Sequence, residues 1–402
     1  MKNNYGERRA CVKLEFNTNY FWRILPLGMR RRWWLFRAFD LFVCFWPIFK
    51  ARKGLVIVRM DGIGDMVLFR NALDHYENVF GIPKSEITIV GCKSWSPITN
   101  ELFEGYQVFT IDEHSYGKSI FYRTYVNFCV RFIAPEIVVS DSYFRRALIT
   151  DSLVWVMNAP KSIVSYPYIN EATRIEFQYY LSLVSRVVDT GLYPTHELVR
   201  HANFLTQIGG EEIAPCLPVL SWVGTLTKKI KSPYIVLNPG SNEFGRRWPL
   251  VNYIELATYF LEIGYRVVFV GKEEDLSKRL TILITKNQKI INLIGKTNLA
   301  QLFDIINQAS LIVSNDTGPA HVAIGLGTST IVIVGGGHFG SFVPYPEHLI
   351  SAKVRFLYKF MECYHCFWRC DKRTKTFESF PCVSGVLVED VKNSCNEILK
   401  HK

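Results

Sequence analysis

The chain carries little charge for its length and has no long uninterrupted apolar run. Of its 402 residues 21% are charged, and no segment is low in complexity, which excludes wholesale disorder. The stretch Leu35 to Phe49 is strongly apolar, but it is 15 residues long and contains Arg37 and Asp40. A bilayer crossing takes about 20 predominantly apolar residues, so the stretch is not read as a membrane span. No small-residue cleavage site follows it, so it is not read as a secretory signal either. Acidic residues are scarce at the N-terminal end. Residues 1–53 hold 12 Lys/Arg against Glu7, Glu15 and Asp40, so this segment supplies +9 of the chain's net +11. The basic balance therefore describes an N-terminal appendage and not the body of the protein.

That appendage is aromatic as well as basic, running Arg30-Arg-Arg-Trp-Trp-Leu-Phe-Arg-Ala-Phe-Asp-Leu-Phe-Val-Cys-Phe-Trp-Pro-Ile-Phe-Lys50. Basic residues flanking Trp and Phe fit a segment lying in the headgroup region of an anionic membrane. A helix packed on the main body, or a nucleic-acid tether, are the competing readings. Nucleic acid is disfavoured because the basic residues sit beside bulky apolar ones and no binding module is present.

At 49% hydrophobic, the remainder is long enough for two domains. From Gly54 apolar runs alternate with helical spacing. Strands are expected at Leu55–Arg59, Ile87–Val90, Val108–Ile111, Glu136–Ser140 and Ser162–Ser165, with a helix over Met66–Phe80. A second set follows Pro215, with strands at Tyr234–Asn238, Arg266–Gly271, Ile290–Leu293, Leu311–Val313 and Thr330–Val334. Helices are expected between them at Asn252–Gly264, Glu274–Lys286, Leu299–Ala309 and after Pro319. This alternation predicts parallel sheets with crossover helices. The expected division is an extension over 1–53, a Rossmann-like domain over 54–215, a second over 216–385, and a C-terminal helix over 386–402. Glycine and proline accumulate in the linker near 205–232.

Four strand-end loops carry residues suited to chemistry. Asp61-Gly-Ile-Gly-Asp65 follows the first strand; it is G-x-G without the third glycine, an incomplete dinucleotide signature. Asp65 could serve as a general base, or simply cap the next helix. In Asn238-Pro-Gly-Ser-Asn-Glu-Phe-Gly-Arg-Arg-Trp-Pro249, Gly240, Ser241, Arg246 and Arg247 suit phosphate, which arginine can clamp in bidentate fashion; a solvated arginine pair is the plain alternative. In Gly271-Lys-Glu-Glu-Asp275, Glu274 or Asp275 could reach ribose hydroxyls, or merely favour a helix N-terminus. In Ser314-Asn-Asp-Thr-Gly-Pro-Ala-His321, Asp316, Thr317 and Gly318 lie where a helix begins, a position that suits an anion. Capping by Asp316 or Thr317 is equally compatible with that pattern. His321, one turn on, is placed with the donor-binding residues, or is a buried histidine satisfied by a backbone group.

Together these loops resemble glycosyltransferase family 9, the lipopolysaccharide heptosyltransferase family. Val56 to Asp65 is similar to the family's strand-x-x-Gly-Asp pattern. Pro239-Gly-Ser241 with Arg246-Arg-Trp-Pro249 is similar to its basic Trp-Pro loop, and Asp316-Thr-Gly-Pro-Ala-His321 to its D-[ST]-G-x-x-H block. The resemblance implies an α/β GT-B fold, two Rossmann-like doubly wound domains facing a central cleft, with the acceptor on the first domain and the nucleotide sugar on the second. It implies metal-independent transfer with inversion, ADP-heptose as the commonest donor and a lipopolysaccharide or other surface glycan as acceptor. Asp65 would be the general base, and Arg246 or Arg247 would neutralise the departing diphosphate. Asp316, Thr317 and Gly318 would hold the phosphates, with Asp316 orienting its loop or an arginine, or touching the sugar. Glu274 or Asp275 would bind the ribose. A cytoplasmic, peripheral place on the inner face of the membrane follows, with no nucleic-acid partner.

Two other function classes compete: a nucleotide-dependent oxidoreductase or epimerase, which would want a full G-x-G-x-x-G and a catalytic Tyr-x3-Lys, and a non-catalytic sugar-nucleotide binder. Among ten cysteines, Cys363, Cys366, Cys370 and Cys382 are spaced closely enough for a structural zinc. Reduced free thiols are the other expectation, and disulfides would need an oxidising compartment.

Overall fold

The computed structural model describes residues 28–224, 233–275 and 277–400, together with Leu14, Trp22, Pro26 and Ile230. Most of the extension before residue 28 therefore lies outside the described residues, as does part of the linker. The described residues divide into two compact units at Pro215/Cys216.

In the N-terminal unit, helix α1 (Arg31–Cys44) is followed by a six-stranded parallel sheet: β1 (Leu55–Arg59), β2 (Ile87–Cys92), β3 (Gln107–Ile111), β4 (Ile137–Ser140), β5 (Lys161–Ser165) and β6 (Arg186–Val188). Its order is β3-β2-β1-β4-β5-β6. The principal helices between are α2 (Ile63–Leu73), α3 (Ile120–Ile133), α4 (Ser152–Met157), α5 (Arg174–Leu181) and, after β6, α6 (Glu197–Gly209). β1, β2 and β4 are buried at every position. Continuous apolar runs of this kind belong to parallel strands covered on both faces.

The C-terminal unit repeats the plan with β7 (Tyr234–Asn238), α7 (Leu250–Glu262), β8 (Arg266–Phe269), α8 (Lys278–Lys286), β9 (Ile290–Asn292), α9 (Leu299–Asn307), β10 (Leu311–Asn315), α10 (Gly318–Gly325), β11 (Thr330–Ile333), β12 (Val354–Leu357) and α11 (Val388–Lys400). The order is β12-β11-β10-β7-β8-β9. α11 packs back against α7, β11 and β12, and its Val391, Cys395 and Ile398 join the same buried core as Trp248, Phe260 and Phe269.

Three expectations are corrected. The helix expected over 66–80 stops at Leu73 and resumes as a single turn, Tyr76–Phe80, ended by Gly81 in the left-handed region (φ 64°). The helix expected from Glu274 begins at Lys278, because Ser277 Oγ accepts from the Leu280 N–H at 3.2 Å and fixes the start there. Each sheet also has a sixth strand, β6 or β12, that the apolar pattern does not reveal. Both are edge strands with only one fully buried residue each.

Candidate active site

In each sheet the strand order reverses beside the strand that comes first in its domain, and loops at such a point are the usual ligand positions of doubly wound folds. In the C-terminal unit the reversal lies between β7 and β10, where Asn238 is paired in register with Ser314. Asn238 Nδ2 donates to Ser314 Oγ (2.8 Å) and Thr317 Oγ1 (3.1 Å). Asn315, which the sequence reading did not single out, ties the two loops together. Its Nδ2 donates to the carbonyls of Pro239 and Gly240, and its Oδ1 accepts from Trp248 N–H and Tyr253 O–H. A buried amide ending an otherwise apolar strand was the available signal.

Thr317 occupies the N-cap position of α10 but makes no capping hydrogen bond with its side chain. Its hydroxyl faces Asn238, Ser314 and the Asn315 carbonyl instead. Capping by Thr317 is therefore not what holds this helix start.

The two arginines separate. Arg246 donates to the main-chain oxygen of Asp316 and to its carboxylate at 2.9 Å, and its guanidinium lies 4.4 Å over the Trp368 ring. The contact expected between Asp316 and the arginine pair is thus made by Arg246. Arg247 turns the other way, donating to the Ser241 carbonyl (2.8 and 3.0 Å) and lying 2.9 Å from Asp275. Asp275 also accepts from the Lys272 N–H at 2.8 Å. Glycine at 240 and 271 makes room for this carboxylate: a Cβ at Gly240 would lie 2.1 Å from Asp275 Oδ2, and one at Gly271 2.8 Å from it. Burial raises the Asp275 carboxyl above its ordinary pKa. Of the two acids considered for ribose, Asp275 is thus buried and committed to its loop, while Glu274 is exposed.

His321 is buried, with Nδ1 2.8 Å from the Tyr345 hydroxyl and Nε2 3.9 Å from Asp316. Its partner is a tyrosine hydroxyl and not the backbone group anticipated. Burial pushes its pKa down to about 4, so it is neutral at pH 7. His338, missed in the sequence, is pushed to about 4 by burial, with the Arg246 charge acting in the same direction.

In the N-terminal unit the reversal lies between β1 and β4. Buried Arg59, the last residue of β1, stands between Asp61 (2.8 Å) and Asp141 (2.7 Å). Asp141 also meets His201 Nδ1 at 2.7 Å, and Asp61 accepts from Ser142 Oγ at 2.9 Å. Burial alone would raise the Asp141 carboxyl, but Arg59 and His201 hold it well below the usual carboxylate range. Asp65 sits in the first turn of α2, half-buried, and its Oδ2 accepts from the Gly62 N–H at 3.1 Å. Glu197, which opens α6, is buried, and that burial pushes its carboxyl up to about 8 against the pull of Arg200 and Arg59; the charges of Asp65 and Asp61 add to the rise.

Cys363, Cys366, Cys370 and Cys382 line one small cavity with Tyr364, Trp368 and Phe380. His365, Phe367 and Trp368, between the first three thiols, have positive φ, which turns the chain around that cavity. The four are free thiols, and burial raises Cys363, Cys382 and Cys366, the last to about 11. Among the described residues no group of three or more His, Cys, Asp or Glu stands ready to hold a metal ion.

Comparison with known proteins agrees with this architecture. Over 89% of its length the chain superposes on the whole of a family 9 glycosyltransferase from Veillonella parvula (TM-score 0.67, 19% identity). It also superposes over 87% of its length on 78% of TibC, the dodecameric iron-containing heptosyltransferase solved with ADP-D-β-D-heptose (TM-score 0.55, 12% identity). The fold is therefore GT-B, with two doubly wound α/β domains. In sequence, residues 208–374 match the family model described as glycosyltransferase family 9 (heptosyltransferase). Heptosyltransferase 2 from Haemophilus ducreyi is 35% identical over 107 residues, 25% of this chain and 30% of that protein. Its Escherichia coli counterpart is 37% identical over 109 residues, 26% and 31% respectively. The chain thus spans about a third of the length of these curated relatives. The segment similar to glycosyltransferase family 9 lies almost wholly in the C-terminal domain.

Proposed function

We propose that the chain is an inverting heptosyltransferase that moves heptose from ADP-heptose to a lipopolysaccharide core or other surface-glycan acceptor. The observation that carries this reading is Arg246 held against Asp316 at the start of α10, within the segment that matches the family. In this reading an acceptor hydroxyl attacks the anomeric carbon while Asp65 takes its proton. The bond from that carbon to the β-phosphate oxygen breaks, and ADP leaves with the electron pair. Negative charge grows on the leaving oxygen, and preorganised donors aimed there give the largest rate gain. Arg246, the Thr317 hydroxyl and the start of α10 supply them, with Gly240 and Ser241 shaping the facing loop. Glu274 is the acid left to bind ribose, since Arg247 and Asp275 satisfy each other. Asp316 orients Arg246, and neutral His321 supports Asp316 from behind.

The same proposal places the protein on the cytoplasmic face of an anionic membrane through its N-terminal segment. No helix among the described residues is long and apolar enough to cross a membrane. The four cysteines are read as reduced free thiols: zinc matches their donor type, but among the described residues no three such groups converge on one metal position.

Donor identity is tested by thermal stabilisation against a panel of nucleotide sugars. A ligand at 100 times its Kd stabilises by about 2.7 kcal/mol. ADP-heptose should raise the melting temperature more than UDP- or GDP-sugars, and equal shifts across the panel would count against the donor assignment.

A further inference from the structure

Helices α1 and α3 pack against each other; each buries charged or amide side chains among apolar ones and leaves large aromatic side chains outside. On α1 the buried positions include the charged residue Asp40, whereas Trp34, Leu35, Phe39 and Phe42 face outward. On α3 the buried face carries Arg123, Asn127 and Arg131 at four-residue spacing. The outward stripe is Phe121, Tyr125, Phe128 and Phe132, with Phe121 87% exposed and Phe128 partly covered. The polar residues satisfy one another inside. Arg123 donates to Asp40 at 2.6–3.1 Å, Asn127 donates to the same carboxylate at 2.7 Å, and Arg131 reaches the carbonyls of Trp46 and Met157. A surface helix in water normally turns its apolar stripe inward and its charges outward.

The two aromatic stripes are continuous. Phe128 of α3 meets Phe42 and Trp46 edge-on at 6.2 and 5.5 Å and stacks on Phe132 at 6.0 Å. The face runs on through exposed Phe45 and Phe49. Contiguous exposed apolar area of this kind marks an interaction surface.

We infer that α1 and α3 together form one lipid-docking face, seated in the headgroup region of an anionic bilayer, so that the body of the N-terminal domain and not only its extension holds the membrane. This rests on the membrane reading above and extends it to α3. Charge decides the occupant. Exposed Arg31 and Arg32 lie at one end of α1 and Lys50 beyond the other, and neither helix has an acidic residue other than buried Asp40. Anionic lipid complements that charge, whereas a second copy seated on the same face would bring like charges together. Each helix has 14 residues, about 21 Å at 1.5 Å per residue. That is shorter than a bilayer core of about 30 Å, so the pair lies on the membrane.

The test is cosedimentation of the full chain with phosphatidylcholine vesicles, with and without phosphatidylglycerol. Three forms are compared: wild type, Arg31→Glu/Arg32→Glu in the extension, and Phe121→Ser/Phe132→Ser on α3. Wild type should bind the anionic vesicles. The α3 variant should bind them at least about ten-fold more weakly, as expected for two phenyl groups withdrawn from the interface. Its melting temperature should be unchanged, because both positions are exposed. If the α3 variant binds like wild type while the arginine variant does not, the extension alone holds the membrane and the inference is overturned. If wild type ignores both vesicle types, the membrane reading and the inference fall together. If wild type forms an oligomer in lipid-free buffer that the α3 variant dissociates without loss of vesicle binding, the face belongs to a second copy and the inference is likewise overturned.

Discussion

Arg246 donates to the Asp316 carboxylate at 2.9 Å, at the residue before the N-cap of α10. Arg247, its neighbour in sequence, is committed to Asp275 and the Ser241 carbonyl. Two adjacent arginines thus have separate duties, one beside the proposed leaving group and one bracing a loop.

That division predicts different failures. Arg246→Ala should cut kcat by about 100-fold or more, the scale for removing a charge-stabilising donor, and should also lower the melting temperature, since it strands the buried Asp316 carboxylate. Arg247→Ala should destabilise the C-terminal domain by about 2 kcal/mol, since it leaves a buried carboxylate short of a partner, while kcat in the folded fraction changes much less than in Arg246→Ala. Steady-state kinetics with thermal melts separate them, and an inverted pattern would reassign the roles.

Two buried groups predict opposite pH limbs. Glu197 has an ordinary pKa of 4.5 and a folded one of about 8, so the folded N-terminal unit binds the extra proton between these values. Its contribution is fully present below about pH 4.5 and is lost as pH rises through about 8. His321 goes from 6.5 to about 4, so the unfolded chain binds the extra proton there. Its contribution is present above about pH 6.5 and is lost as pH falls through about 4. Melting curves against pH should show the alkaline limb flattened in Glu197→Gln and the acid limb flattened in His321→Gln. Unaltered limbs would contradict both assignments.

The cysteine cavity separates two expectations for its thiols. Elemental analysis and thiol titration of protein purified without chelator should find the cavity's cysteines as free thiols with no stoichiometric zinc. About one zinc per chain, lost in Cys366→Ser together with melting temperature, would contradict the free-thiol reading.

Much of this was legible in the chain. The interior strands β1, β2, β4, β7 and β10 are β-branched apolar runs ended by turn residues, and the loops after β1, β7 and β10 hold the residues to which the proposed chemistry is assigned. The edge strands β6 and β12 were hidden because half-buried segments lack that continuous apolar signature. The roles of Arg246 and Arg247, or of Glu274 and Asp275, were not separable, because adjacent residues of like chemistry differ only in the direction the backbone turns them. α1 was ambiguous for another reason. Both of its faces are rich in apolar residues, so its periodicity points nowhere, and only the burial of Asp40 by Arg123 and Asn127 fixes which face is inside.

The central claim is that Asp65 takes the acceptor proton while ADP departs. It is tested most directly by measuring ADP release from ADP-heptose in the presence of heptose-deficient lipopolysaccharide core, wild type against Asp65→Ala. Acceptor-dependent ADP release by wild type, reduced at least about 100-fold in the variant with ADP-heptose binding retained, is the predicted result. Undiminished turnover in Asp65→Ala would contradict the account.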